Sequence, residues 1–243
     1  MRLGPVFLIF TIAMAAAESS EQLPSVNQVV AKMMERDDQR QAGFHGYTAA
    51  RRYVLENSRH HKRAEMVVKV ACFDNGSKQF QTVSATGWGA ARSHVFPRLL
   101  EGESEASLPG IRDRSRITPE NYSFEMAGKE YINQRPAYVL AITPKTQNKY
   151  LIEGKIWVDA EEFAIARIEG KPAKNPSFWI KSIHFVHTYQ KSGSLWLPAS
   201  DRSVTDVRIL GSNELTIEYF DYDYAPNAAT LSASREVAPG SLP

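Results

Sequence analysis

The segment "YLIEGKIWVDAEEFAIARIEGKP", residues 150–172, alternates apolar and polar side chains. Ile152, Ile156 and Val158 share one parity, and Phe163 and Ile165 resume the pattern after a bend at Asp159-Ala160-Glu161-Glu162. Glu153, Lys155, Arg167 and Glu169 fall between them. A period of two with charges on the off positions predicts a hairpin with one wet face and one apolar face. That apolar face must cover either a packed core or a hollow.

The same pattern runs through most of the chain. "GYTAARRYVLEN", "AEMVVKVACFDN" and "KQFQTVSATG" predict three strands, the first two joined by the polar tip "SRHHKR". "NYSFEMAGKEYINQRPAYVLAITPK" predicts two more, turning at Gly128. Residues 177–224 predict a further three, turning at Gly193 and at Gly211-Ser212-Asn213. Helical spacing appears twice. Val26, Val29, Val30, Met33 and Met34 predict an amphipathic helix that starts at an N-cap Ser25 and ends near Gln41. "WGAARSHVFPRLLEGESEA" predicts a second helix through Ala90, Ala91, Val95, Leu99 and Leu100, kinked or split at Pro97. Residues 101–118 are charged and contain Pro109 and Gly110, so a mobile loop is expected there.

About ten strands with hairpin links and two helices make an α+β chain with an antiparallel sheet, not a βαβ one. A meander of that length must curl or close to manage its edges. A curled sheet has a concave face, and two short amphipathic helices suit it as a stopper. The expected architecture is therefore a curled antiparallel sheet whose concave face, stoppered by the helices, makes an apolar pocket with a lid. Alternation assigns Tyr53, Leu55, Met66, Val68, Val70, Ile156, Val158, Phe185 and Ile217 to its candidate ligand-binding wall. One of Arg51 and Arg52 shares the face of Tyr47, Tyr53 and Leu55. Such an arginine has two readings: a lid lock that hydrogen-bonds a lid carbonyl, or a packed stem whose head snorkels to the rim. The aromatic residues of the C-terminal half, such as Trp157, Trp196 and Tyr219, are ordinary strand vocabulary and line a pocket only where the concave side is underfilled.

The first residues, "MRLGPVFLIFTIAMAAAES", change the picture of where this domain works. Arg2, the short apolar run Val6 to Met14 and Ala15-Ala16-Ala17 read as a signal peptide over residues 1–17, cleaved after Ala17. The apolar run falls short of the ~20 residues that span a bilayer, and no cysteine stands at the cleavage site for lipidation. One domain over residues 18–225 and a disordered tail over 226–243, rich in Ala, Ser and Pro, follow. The mature chain is therefore expected to be exported.

With 243 residues, 43% hydrophobic, the chain is long enough for one core. A net charge of +2 with interleaved signs makes nucleic acid a poor partner. Cys72 is the single cysteine, so no internal disulfide forms, and its alternation with Met66, Val68 and Val70 marks it as a small buried hydrophobe.

Catalytic and metal-binding signatures are missing. There is no G-x-S-x-G elbow and no H-E-x-x-H, and "TGWGAA" lacks the Lys and hydroxyl of a phosphate cradle. His60 and His61 point to opposite faces of a strand or sit at a solvated tip within Arg59-His60-His61-Lys62-Arg63, a basic cluster hostile to a cation. That cluster has a second reading as a patch for anionic headgroups. His184 and His187 also differ in parity and read as barrel-wall residues.

At this point the chain resembles the LolA-like family of periplasmic, outer-membrane lipoprotein-sorting proteins. The likeness rests on the order of "GYTAARRYVL", "EGKIWVDAEEFAIARIEG", "FWIKSIHFVHTY" and "GSLWLPAS", and covers most of residues 24–224. It implies an incomplete β-barrel with a helical lid and an apolar cavity for acyl chains. The Arg-Pro segment that carries the lid-locking arginine in the carriers is missing after the third strand, which leaves Arg51 and Arg52 as candidates. The leading expectation is a monomeric, non-enzymatic periplasmic carrier of lipid or lipoprotein acyl chains, with no cofactor and no metal. The alternative is an envelope-sensing protein–protein interaction module that binds a membrane-protein partner. An enzyme on the same scaffold is a third and weaker reading.

Overall fold

The computed structural model describes residues 23–193, 195–209 and 211–224. The expected signal peptide and C-terminal tail lie outside the described residues. Ten strands form one antiparallel sheet in the order β3-β2-β1-β10-β9-β8-β7-β6-β5-β4. The N-terminal hairpins are β1 (Tyr47–Asn57), β2 (Lys62–Cys72) and β3 (Lys78–Gly87). The central and C-terminal strands are β4 (Tyr122–Ile132), β5 (Arg135–Pro144), β6 (Ile152–Asp159), β7 (Ile165–Pro172), β8 (Ile180–Ser192), β9 (Leu195–Val207) and β10 (Gly211–Asp223). Consecutive strands pair as antiparallel neighbours except β3 and β4, which the helical segment joins, and β10 returns to pair with β1. The sheet is open: β3 and β4 are its edges.

Both edge strands carry a bulge. In β3 the register shifts at Val83, and in β4 at Ala127, just before Gly128 with φ +144°. A bulge twists an edge away from further pairing, which protects an open sheet from adding strands. Gly128 is therefore a bulge residue inside β4. The β4–β5 turn falls instead on Asn133 and Gln134, both at positive φ, the geometry of a two-residue hairpin turn.

Helix α1 (Val26–Ala42) starts as the sequence predicts. The Ser25 hydroxyl accepts from the Gln28 N–H and the Gln28 side chain accepts from the Ser25 N–H, a complete capping box. Its buried stripe of Val29, Val30 and Met33 packs onto Tyr122, Leu140, Ile142, Ile156, Val158 and Phe185. The second helical segment is longer than expected. A π-helical turn, Ala91–Val95, runs into α2 (Phe96–Ser107), with Pro97 in the first turn, where no intrahelical N–H is required of it. A short helix α3 (Pro109–Ser115) follows. The expected mobile loop over 101–118 is thus largely helical: its charges are not a sign of looseness, because Glu103 is used against the sheet. Ala91 and Phe96 bury themselves on Tyr53, Leu55, Ala64, Met66 and Val68.

The hairpin of residues 150–172 shows why its motif is structural. Gly154 and Gly170 face each other across β6 and β7, and a Cβ on Gly154 would lie 2.0 Å from the Glu169 carbonyl oxygen. Asp159, buried, accepts from the Glu161 and Glu162 backbone N–H groups and from both sides of the Arg135 guanidinium at 2.7 and 2.9 Å. Glu162 in turn accepts from the Trp196 indole N–H, so the Val-Asp turn and the Trp-x-Pro strand brace each other.

Candidate functional site

The curl of the sheet sets alternate residues of β1, β10, β9 and β8 around one hollow of about 360 Å³. Register does the placing. Leu55, Tyr53 and Arg51 oppose Leu215, Ile217 and Tyr219, Ile217 opposes Asp201, and Asp201 opposes His187. Leu99 and Glu103 of α2 form the roof, and Lys78 stands at the start of β3. A smaller hollow of about 220 Å³ lies on the other side of Tyr189, which lines both.

Arg51 is the centre of this site. Its side chain has 0% exposure, and its Nη1 donates to Glu103 Oε1 at 2.6 Å. Lys78 Nζ donates to the same oxygen at 2.9 Å, and the Tyr53 hydroxyl donates to Glu103 Oε2 at 3.3 Å. The guanidinium lies over the Tyr219 ring at 4.6 Å and near Phe80 at 5.4 Å. Its Nε and Nη2 have no hydrogen-bond partner. Burial pushes the Glu103 carboxyl up, but Lys78 and Arg51 outweigh burial and hold it at about 2. The same carboxylate outweighs burial to raise Arg51 and Lys78 above their ordinary values, so all three groups stay charged. A second polar group shares the hollow. Asp201 takes His187 Nδ1 at 2.5 Å and the Tyr219 hydroxyl. Burial, with Asp201 beside it, pushes the Tyr189 phenol up to about 12.

Two cations from the sheet hold one carboxylate from a helix, and the helix covers apolar floor. Among the described residues no group of three or more His, Cys, Asp or Glu converges as metal ligands.

The expected wall residues fall into three places. Tyr53 and Ile217 line the larger hollow. Leu55, Met66 and Val68 pack beneath the lid with Phe96, and Val70 packs with Tyr47, Ala49 and Cys72 at the end of the same strands. Ile156, Val158 and Phe185 pack against α1 and do not line the hollow. Of the two arginines, Arg51 faces the lid, and it meets a carboxylate where a carbonyl was expected. Arg52 points to the opposite face and pairs with Glu65 and Glu218. Sequence reasoning missed Glu103, Lys78 and Asp201, whereas His187, read as a barrel-wall residue, and Tyr219, read as pocket-lining only on an underfilled face, both line the hollow. Asp201 needs the β8–β9 register, and Glu103 needs the helix.

Among the described residues no helix is long and apolar enough to cross a membrane. No curated protein sequence matches the chain. Among solved structures it is similar to a putative outer-membrane lipoprotein-sorting protein domain from Vibrio parahaemolyticus, at 14% identity and TM-score 0.45, over 88% of this chain and 99% of that one. It is also similar to the LolA superfamily protein NE2245 from Nitrosomonas europaea, at 11% identity and TM-score 0.38, over 80% and 92%. A third is MucB of the Pseudomonas aeruginosa MucA/MucB complex, at 11% identity and TM-score 0.26, over 85% and 95%. Residues 48–167 match the MucB/RseB N-terminal domain. The family match thus runs from β1 into β7, just under half of the chain.

Proposed function

We propose that this chain is a non-enzymatic binding protein of the cell envelope that takes up an acyl chain beneath α2 when the Glu103 latch opens. The observation that carries the reading is the fully buried Arg51, bonded to Glu103, a helix carboxylate that lines the hollow. Lifting α2 uncovers an apolar floor of Tyr53, Leu55, Met66 and Val68. Burial of a chain there is worth about 0.8 kcal/mol per methylene, set against the latch. Arg51 Nε and Nη2, unpartnered, and Lys78 suit the anionic head of such a ligand, which would compete with Glu103. The signal-peptide reading and the family match support an envelope location.

The test is native mass spectrometry of the mature chain purified from a bacterial periplasm, with lipid extraction alongside and a fluorescent fatty acid titrated into the delipidated protein. A co-purified acyl species near one-to-one, or saturable fatty-acid binding altered by Glu103→Gln, is the expected result. An unliganded mass that no lipid changes rejects it.

A second reading has its own observation. The hollow is lined by Lys78, Glu103, His187 and Asp201 as well as by apolar groups, which is a poor lining for a chain that stays inside. An envelope sensor that binds a membrane-protein partner, as the likeness to MucB in its complex with MucA suggests, leaves the hollow empty of lipid. The lipid extraction separates the two readings.

A further inference from the structure

We propose that one end of the half-barrel, away from the latch, docks on an anionic phospholipid surface. Three tips meet there: the β1–β2 tip (58–61), the described residues of the β9–β10 turn (208–209) and the β7–β8 loop (173–179). Their contact is hydrogen-bonded. Arg59 Nη1 donates to the Ile209 carbonyl at 2.9 Å, the Arg208 N–H donates to the Trp179 carbonyl at 3.0 Å, and Arg208 Nε donates to the Phe178 carbonyl at 3.0 Å. The Arg208 guanidinium also lies 4.9 Å over the Phe178 ring.

The side chains so gathered are unlike the rest of the surface. Phe178, Trp179 and Ile209 are 77%, 56% and 64% exposed and belong to adjoining segments. Single exposed hydrophobes are ordinary, but a group of three at one end marks a surface that meets something apolar. Residues 58–63, 173–181 and 208–209 contain six Lys and Arg and no Asp or Glu. Among the described residues only Arg63 of these cations pairs with acids, Glu56 and Glu65, which belong to strands β1 and β2. Arg59, Lys62 and Arg208 are exposed. Aromatic side chains that enter the headgroup layer beside cations that meet lipid phosphates are the two parts of a peripheral membrane contact. An acidic protein partner would satisfy the charges, yet it leaves three large apolar tips to be matched separately. A bilayer takes both at once.

The docking surface does not depend on the lid or on any cargo. Flotation of the mature chain with phosphatidylglycerol/phosphatidylethanolamine vesicles, against phosphatidylcholine vesicles, tests it. Binding to the anionic vesicles that weakens with salt is expected. Phe178→Ser with Trp179→Ser, or Arg59→Gln with Lys62→Gln and Arg208→Gln, should each lower the bound fraction on the order of tenfold, with an unchanged melting curve. Fatty-acid uptake by these variants should match that of the unaltered protein, so loss of docking and loss of cargo binding are read separately. Absence of vesicle binding by the unaltered chain, or equal binding by the variants, overturns the proposal. So does a dimer in light scattering that the aromatic variant converts to monomer, since the patch would then face a second copy of the chain.

Discussion

The two ends of the concave face are closed by different physics. Under α1, Val29, Val30 and Met33 meet Leu140, Ile142, Ile156 and Val158 in an all-apolar cluster. Under α2, Ala91 and Phe96 make a similar but smaller contact, and beside it Glu103 is held by Arg51 and Lys78 over a hollow. Apolar packing falls off gradually as a helix lifts, with no single group that a ligand can take over. A carboxylate held by two cations can be displaced by another anion, so under the proposed function the α2 end is the one that opens and the α1 end the one that stays.

Substitution with a charge should break this contrast most strongly. Ile156→Glu places an unpaired carboxylate in the α1 cluster and should cost about 4 kcal/mol or more, or unfold the protein. Val68→Glu, packed beneath the lid, should do the same. Ile217→Glu, at the wall of the hollow, should cost about 1–2 kcal/mol. Urea unfolding of the three checks the order, and equal costs at 156 and 217 would sink the distinction between a packed end and a hollow end.

The latch comes next. Arg51→Met leaves Glu103 with Lys78 and the Tyr53 hydroxyl, and breaking a buried pair costs about 3–5 kcal/mol. Equilibrium unfolding measures the loss. Hydrogen exchange in α2 should quicken more than in α1 if the two ends open separately.

Acid should loosen the α2 end selectively. The Glu103 carboxyl drops from its ordinary 4.5 to about 2 in the folded chain. A depressed carboxyl contributes stability that is fully present above its unfolded value and is lost as pH falls through its folded one. The window is therefore from about pH 5 down to about pH 2, and the amount on the order of 3 kcal/mol. Glu103→Gln should flatten that limb of the stability–pH curve, and a curve that keeps its shape would remove the latch from the account.

The smallest effect belongs to Arg52. It neighbours Arg51 in sequence, but its ion pairs with Glu65 and Glu218 lie on the solvent side. Arg52→Ala should leave the melting temperature unchanged within error, because exposed ion pairs are screened and their side chains lose entropy on pairing. A large loss would mean that the outer face is not simply solvated.

Much of this molecule was determined by the sequence alone. Ser25 and Gln28 specify where α1 starts, since their side chains satisfy backbone groups only three residues away. Period-two alternation specifies the strands and puts Arg51 and Arg52 on opposite faces, since a strand turns its side chains over at every residue. The turn at Asp159 to Glu162 and the Gly193 turn were legible for the same local reason. Tertiary structure alone decided the rest. Gly128 reads as a turn glycine, but pairing with Val139 makes it part of a bulge. Residues 101–118 read as a charged loop, but a sheet with two cations waiting makes Glu103 a helix residue with partners. Whether the apolar face of residues 150–172 meets α1 or a hollow depends on how far the sheet curls and which helix reaches it. Those distances are set by contacts between residues far apart in the chain, and alternation along one strand carries no record of what stands opposite it.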